Sequence, residues 1–418
     1  MSEMVVIPNT PTLVAEQNIE RPRATAPAPP PAPAAPAAPR ASKREQHSKR
    51  DKLPTVGEVI INERNEPIML KTKLGDGAMG HVFLATYDGE AVAVKTEKYS
   101  TAMLPMELRV LSIAQREKCK HFCRIYDYGT VRKEFNYMII TLLYKDLYRL
   151  RSEMANRSFS LNTSTKIALD TLEAIEELHS IGFLSRDVKP SNFAPGLREQ
   201  QKHKTIFMFD FGLAKKFVDR ENRKLKSRGE VGWRGTVRYG SLNAHKRLDL
   251  GRRDDIECWF YMLIEMYVSE LPWRFLTERA AVGKAKEHVR AEGRKNFFHN
   301  VPKQFETILN MIDGYQFETR PDYKAIKRLI QEVRNENGLT DRVKWDWQTD
   351  ESQHSELTET TSVMSDNAIL AEEGTINLTE TAKQRCSITG EKLARADEEA
   401  VGHEGGKDRV HRDNSEAG

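Results

Sequence analysis

Three short runs of alternating apolar and polar residues, 68–74, 81–87 and 91–96, are joined only by Gly-containing turns at 75–80 and at Asp88-Gly89. Period-two runs this close together fold as neighbouring antiparallel strands. The pattern then changes. Residues 104–115 have helical periodicity, and residues 137–143 form one more apolar strand candidate. Beyond Ser160 helices take over, with Ile167, Leu172, Ile175 and Leu178 on one face and Gly182 placed as a C-cap. This order predicts an α+β fold of two lobes. A small antiparallel β-rich N-lobe covers about residues 68–143 and a larger α-helical C-lobe about residues 144–335, with the chemistry expected at the seam.

Outside that stretch the composition differs. Residues 21–39 are almost entirely Pro and Ala, which favours an extended spacer, and residues 1–52 are expected to form a disordered, Pro/Ala-rich and then basic tail. Residues 40–52 hold six basic residues. They read as a solvated charge run, with a nuclear address or a nucleic-acid contact as the alternative. Residues 351–418, rich in Ser, Thr, Glu and Gly without apolar periodicity, are expected to be a disordered acidic tail. The formal charge of +4 is therefore uneven. Residues 1–52 carry 8 Lys and Arg against 5 Asp and Glu, residues 351–418 carry 7 against 15, and the residues between carry 50 against 41. A basic centre favours anionic partners. The most apolar stretch, 256–268, is interrupted by Glu257 and Glu265 and is too short to span a membrane. No membrane partner is expected. Four cysteines in so long a chain fit a reducing compartment, and no basic region leads into an apolar core at the N-terminus, so a cytoplasmic location is expected, with the nucleus as a second site.

Within the first run of strands, Gly75, Gly77 and Gly80 with Val82 match G-x-G-x-x-G-x-V. Alone this pattern is weak, because an ordinary Gly-rich hairpin turn would account for it. Its chemical reading is a turn whose backbone N–H groups approach nucleotide phosphates while Val82 packs on the base. A dinucleotide-binding turn is excluded by context, since a strand and not a helix follows the glycines. Residues 92–95, Val-Ala-Val-Lys, then bury Val92 and Val94 on one face and turn Ala93 and Lys95 toward the glycine loop, which brings a cation to the phosphates. Glu107 in the helical stretch is placed to ion-pair with Lys95, although alone it reads more readily as a solvated helix carboxylate.

Further along come Ser185-Arg186-Asp187-Val188-Lys189-Pro190-Ser191-Asn192 and then Asp210-Phe211-Gly212. In this order the motifs resemble those of the eukaryotic protein kinases. The resemblance implies a bilobal kinase fold that uses ATP and Mg²⁺ (Mn²⁺ in the alternative). It makes Asp187 the catalytic base, Asn192 and Asp210 the metal ligands, and Lys95 the contact to the α- and β-phosphates. Lys189 looks like the serine/threonine-kinase lysine that neutralises the transferred group. Within the kinases the chain is most similar to the casein kinase 1 superfamily, and in particular to its tau-tubulin kinase branch. Residues 189–193, 235–245 and 251–255 carry this likeness. It implies that Thr236 braces Asp187 and Lys189, that Asp255 anchors the catalytic loop, and that Arg238 and Lys284 supply cations to an anionic substrate. The implied partners are proteins with Ser or Thr in an acidic or phosphorylated context, including cytoskeletal proteins, acted on by a monomeric kinase domain.

Two positions depart from the family. Ser185 stands where a His normally lies under Phe211, which predicts a packing deficit there, and Phe275 replaces a Gly at the phosphate-primed site. Ser185 is the feature that favours a rival reading, a non-catalytic nucleotide-binding scaffold. The complete set Lys95, Glu107, Asp187, Lys189, Asn192 and Asp210 argues against it. A nucleic-acid-binding protein would need an aromatic-lined basic fold that the sequence lacks, with Trp345 and Trp347 reading as packing residues. Cys119 and Cys123 read as free thiols in a helix-to-strand connection, and not as half of a metal site. Ser355, Thr358, Thr360, Thr361 and Ser362, set among Glu351, Glu356 and Glu359, make the tail an expected autophosphorylated and autoinhibitory segment directed to Arg238 and Lys284.

Overall fold

The computed structural model describes residues 51–77, 80–101 and 103–348. Both tails therefore lie almost wholly outside the described residues. The chain enters as a hairpin, β1 (Val59–Ile61) paired with β2 (Pro67–Met69). A five-stranded antiparallel sheet follows, built from β3 (Thr72–Asp76), β4 (His81–Tyr87), β5 (Glu90–Lys98), β6 (Ile125–Val131) and β7 (Phe135–Thr141) in the order β3-β4-β5-β7-β6. Helix α1 (Leu104–Arg116) lies between β5 and β6 in sequence and buries Glu107, Val110, Leu111 and Ala114.

The alternation in β5 does what its sequence requires. Val92 and Val94 enter an apolar cluster with Ile60, Ile68, Phe83 and Ile139, while Ala93 joins the other, larger core. The hairpin β1–β2 thus covers one face of the sheet and leaves the other to α1 and the cleft. Residues 68–74 do not form one strand, as the alternation predicts. The chain changes partner at Leu70 and Lys71, whose N–H groups donate to Glu58 O and Leu84 O, so the run is cut into β2 and β3.

The second lobe is helical. It holds α2 (Leu147–Glu153), α3 (Leu161–Ser180), α4 (Leu242–His245), α5 (Arg252–Val268), α6 (Arg279–His288), α7 (Arg294–Phe297), α8 (Lys303–Gly314) and α9 (Tyr323–Glu336). Short strand pairs, β8 (Phe183–Leu184) with β11 (Lys215–Lys216) and β9 (Phe193–Pro195) with β10 (Ile206–Met208), frame the loops facing the sheet. Helix α3 starts at Ser160, whose hydroxyl accepts from Thr163 N–H, and ends just before Gly182, held at φ +86°. Helix α5 contains the most apolar stretch of the chain and is buried on nearly every side, including Trp259 and Met262 at 0% exposure. No helix of the described residues is long and apolar enough to cross a membrane. Packed structure extends beyond residues 68–335 at both ends. Leu53 packs on the β1–β2 cluster, and Trp345, 5% exposed, stacks on Trp347, which meets Phe159.

Candidate active site

Lys95 sits on β5 directly opposite Val82 of β4, just past the glycine turn. Gly77 and Gly80 close that turn on each other through N–H to carbonyl bonds. At Gly80 a Cβ would run into the Thr96 carbonyl, so only glycine lets the loop lie this near β5. Lys95 Nζ lies 2.5 Å from Glu107 Oε2 and 3.5 Å from Asp210 Oδ1. Helix α1 delivers Glu107, the sheet delivers Lys95, and the loop after β10 delivers Asp210 in the left-handed conformation at φ +62°. Burial alone would lower the pKa of Lys95, but the Glu107 and Asp210 carboxylates overcome it and hold the ammonium above its ordinary value. Lys95 in turn, with Lys189, holds the Asp210 carboxyl below the usual range.

Around Asp187 the contacts are equally specific. Thr236 Oγ1 donates to Asp187 Oδ1 at 2.7 Å, and Lys189 Nζ lies 2.9 Å from Oδ2 and 3.3 Å from Thr236 Oγ1. Gly235, at φ +92°, brings Thr236 in. A Cβ there would stand 2.6 Å from the Arg186 carbonyl, so both backbone conformation and close approach require glycine. Asn192 Nδ2 donates to the Asp187 carbonyl at 2.9 Å, which spends its amide nitrogen and leaves its oxygen as a ligand. The loop itself hangs from α5. Asp255 accepts from the Ser185 and Arg186 N–H groups at 2.8 Å each, and its Oδ2 also meets His179 Nε2 at 2.9 Å.

The donor set suits a hard cation and a polyphosphate. Asp210 and Asn192 supply oxygens, and Lys95 and the glycine loop supply positive charge and N–H groups. A carboxylate held between a hydroxyl and an ammonium, Asp187, can accept a proton from an incoming hydroxyl.

Arg238 and Lys284, expected to supply cations to an anionic substrate, lie on different elements. Arg238 Nη1 lies 3.4 Å from Glu265, which is 0% exposed and also receives the Tyr239 hydroxyl and Arg151, so one carboxylate serves two guanidinium groups. Lys284 is exposed on α6, two residues and therefore about 200° around the helix from Lys286, which is the residue that faces the loop. Phe211, where a packing deficit is expected beside Ser185, is 1% exposed and its ring stacks on Phe122 with centroids 5.4 Å apart. The Ser185 hydroxyl accepts from the Asp187 N–H at 3.3 Å. Phe275 is 81% exposed, with the Arg274 guanidinium over its ring.

Sequence reading missed two residues. Phe122 lies inside the Cys119–Cys123 segment, where attention to the thiols hid the ring; both cysteines are free, and Glu177 brackets the segment by accepting from the Lys120 and His121 N–H groups. Lys286 carries no motif at all. Its fully buried Nζ donates to the Val237 carbonyl at 3.0 Å and the Gly240 carbonyl at 2.6 Å, the loop that carries Thr236.

A β-sheet lobe with a lysine–glutamate pair, joined to a helical lobe with a braced aspartate and a second acid facing the same lysine, defines a phosphotransferase of the kinase class. The family described as protein kinase domain matches residues 68–336, and the chain belongs to it. A protein named "Probable serine/threonine-protein kinase" from Dictyostelium discoideum is 34% identical over 278 residues, 66% of this chain and 55% of the relative. The serine/threonine-protein kinase spe-6 of Caenorhabditis elegans is 33% identical over 315 residues, 73% of this chain and 82% of the relative. The chain thus spans about half the length of the first relative and most of the second. Both relatives carry the name serine/threonine-protein kinase, and membership of the protein kinase family implies use of ATP and a divalent metal.

Proposed function

We propose that this chain transfers the γ-phosphoryl group of Mg-ATP to Ser or Thr hydroxyls of other proteins. The observation that carries this reading is the Asp187 carboxylate fixed between Thr236 and Lys189 in the cleft that also holds the Lys95–Glu107 pair. Asp187 orients the substrate hydroxyl and takes its proton. Lys189 keeps positive charge beside it, and the Asp187 carboxyl keeps that lysine protonated, raising its pKa against the effect of burial. Asn192 and Asp210 would hold the metal, which would supply charge neutralisation on the transferred group. Gly75, Gly77, Gly80, Val82 and Ala93 line the nucleotide side.

The casein kinase 1-like and tau-tubulin kinase-like assignment rests on the residue strings 189–193, 235–245 and 251–255. A preference for acidic or cytoskeletal protein substrates rests on that likeness, on the basic excess of residues 53–350 and on the cations of Arg238 and Lys284. Action as a monomer in the cytoplasm belongs to the same reading. The rival, a scaffold without catalysis, rests on Ser185, and the complete set Lys95, Glu107, Asp187, Lys189, Asn192 and Asp210 argues against it. Transfer of labelled γ-phosphate to a peptide library by the purified chain, beside Asp187→Asn, tests the proposal. Equal incorporation by both proteins would overturn it.

A further inference from the structure

Positive charge collects away from the catalytic cleft. A cavity of about 550 Å³ opens between α3, the β9–β10 connection and the closing segment 341–348. Five cationic side chains line it: Lys166, Arg198, Lys204, Arg342 and Lys344. Two carboxylates also line it, and both act on Lys166 while holding other partners. Asp341 receives Arg334 at 2.6 Å, and Asp170 accepts from the Ile206 N–H at 3.2 Å. Lys166 has neutral neighbours for its ammonium, the Val343 carbonyl at 3.1 Å and the Trp345 ring at 4.0 Å from its centroid. Burial lowers the pKa of Lys166 even though nearby acids raise it. The Trp345 ring is nearly covered by Trp347 and Lys166, so the cavity offers five cations against two carboxylates as its main chemistry.

The chain itself carries the complement. Gln348 lines the cavity, and from Asp350 to residue 382 the sequence has eight Asp and Glu and not one Lys or Arg. The stretch begins two residues beyond the cavity wall, so the tether presents its carboxylates at an effective concentration of roughly millimolar order. We infer that this cavity is the docking site for the acidic stretch 350–382 of the same chain, held by Lys166, Arg198, Lys204, Arg342 and Lys344. The docked stretch lies against α3 and not in the substrate cleft. Phosphate added at Ser355, Thr358 or Ser362 adds about −1.5 to −2 charges per site and tightens the contact.

The test uses the full chain, prepared as an equal mixture of unlabelled and ¹⁵N-labelled protein, treated with a zero-length carboxylate–amine coupling reagent and mapped by mass spectrometry. Expected are amide links within one copy, joining Lys204 or Lys344 to acids between Asp350 and Glu380. They should fall about fivefold in roughly 0.5 M salt, which screens the attraction. They should fall about threefold in Arg342→Glu, whose exposed side chain can change without unfolding the chain. Links of equal yield in high salt and in the variant would mean that the tether alone makes them, and the inference fails. Links mainly between light and heavy copies would assign the site to a second chain and also overturn it. The readout involves no phosphoryl transfer and is repeated in Asp187→Asn, so it stands or falls separately from the proposed activity.

Discussion

Asp187 shows how much chemistry one side chain draws from its neighbours, since both carboxylate oxygens are held, one by a hydroxyl and one by an ammonium. Asp187→Asn keeps the shape and removes the base. Turnover should drop by at least about 10²-fold with nucleotide affinity little changed, as measured by steady-state kinetics beside nucleotide titration. Asp210 has a different task, so Asp210→Ala should abolish the metal-dependent part of nucleotide binding, read as loss of the thermal shift that Mg-ATP gives the parent. Ser185 presents a third kind of case. Restoring a histidine there looks favourable from sequence alone, but Ser185 is 3% exposed and Phe122 already covers Phe211. Ser185→His is therefore expected to overpack and to cost about 1–3 kcal/mol in chemical unfolding, while Phe122→Val in the same chain should recover part of the loss. Additive costs in the double variant would show that the two positions do not share space. The catalytic residues were legible because each lies in a contiguous string. The Phe122–Phe211 contact was not, because it joins two segments far apart in sequence and neither has an unusual composition.

Elements were legible in proportion to how cleanly their faces differ. Strands β4 and β5 alternate and are buried accordingly, but β6 (Ile125–Val131) carries Asp127 and Gly129, lies at the sheet edge and is only partly buried, so its pattern does not separate from a loop. Helix α6 was unreadable for another reason. Its decisive residue, Lys286, looks like a surface lysine in sequence, yet it lies between the Tyr261 and Trp273 rings, 4.9 and 5.3 Å from their centroids, and faces His245 Nε2 at 3.2 Å. Burial pulls its pKa from 10.5 down to about 7; Cys258 and Glu257 push the other way and Arg290 adds to the lowering. His245 is held down as well, to about 3, by burial and then by Lys286. An amine that gives up its proton more easily when folded binds fewer protons in the native state than in the unfolded one between about pH 7 and 10.5. Stability gains from this residue as pH rises through that window and loses below it. Relative to Lys286→Met, which cannot titrate, the parent should gain roughly 1 kcal/mol per pH unit between pH 7 and 9 in urea unfolding. A pH-independent difference would show that the ammonium stays charged in place, held by the two carbonyls.

Across the whole chain the sequence divides by charge as well as by fold, and the lobes come from periodicity while the boundary comes from packing. The composition break near residue 350 was visible, and Trp345 and Trp347 read as residues that pack a last segment onto the helical lobe, but nothing in the string 341–348 reveals which surface of that lobe it meets. Its hold is an exchange between distant segments. Asp346 accepts from the Ser160 N–H at 2.6 Å, the Ser160 hydroxyl at 2.8 Å and the Thr163 hydroxyl at 2.7 Å, so it completes the N-terminal cap of α3 from almost the other end of the described chain. Trp345 and Trp347 stack beside it with centroids 4.9 Å apart. Helix α3 carries His179 near its far end, and His179 meets the Asp255 that holds the catalytic loop, so the closing segment and the active site are fixed to the two ends of one helix. Asp346→Ala removes the acceptor for three donors at a helix start. It should lower stability by about 1–2 kcal/mol, seen as a reduced urea midpoint with an unchanged slope. Trp345→Ala removes a nearly buried ring and should cost about 3 kcal/mol by the same measurement. Because both act on the support of α3 and not on Asp187, activity per folded molecule below the unfolding transition should match the parent. A loss of turnover in Asp346→Ala without a loss of stability would mean that the segment positions the catalytic loop directly, and the division of labour argued here would be wrong.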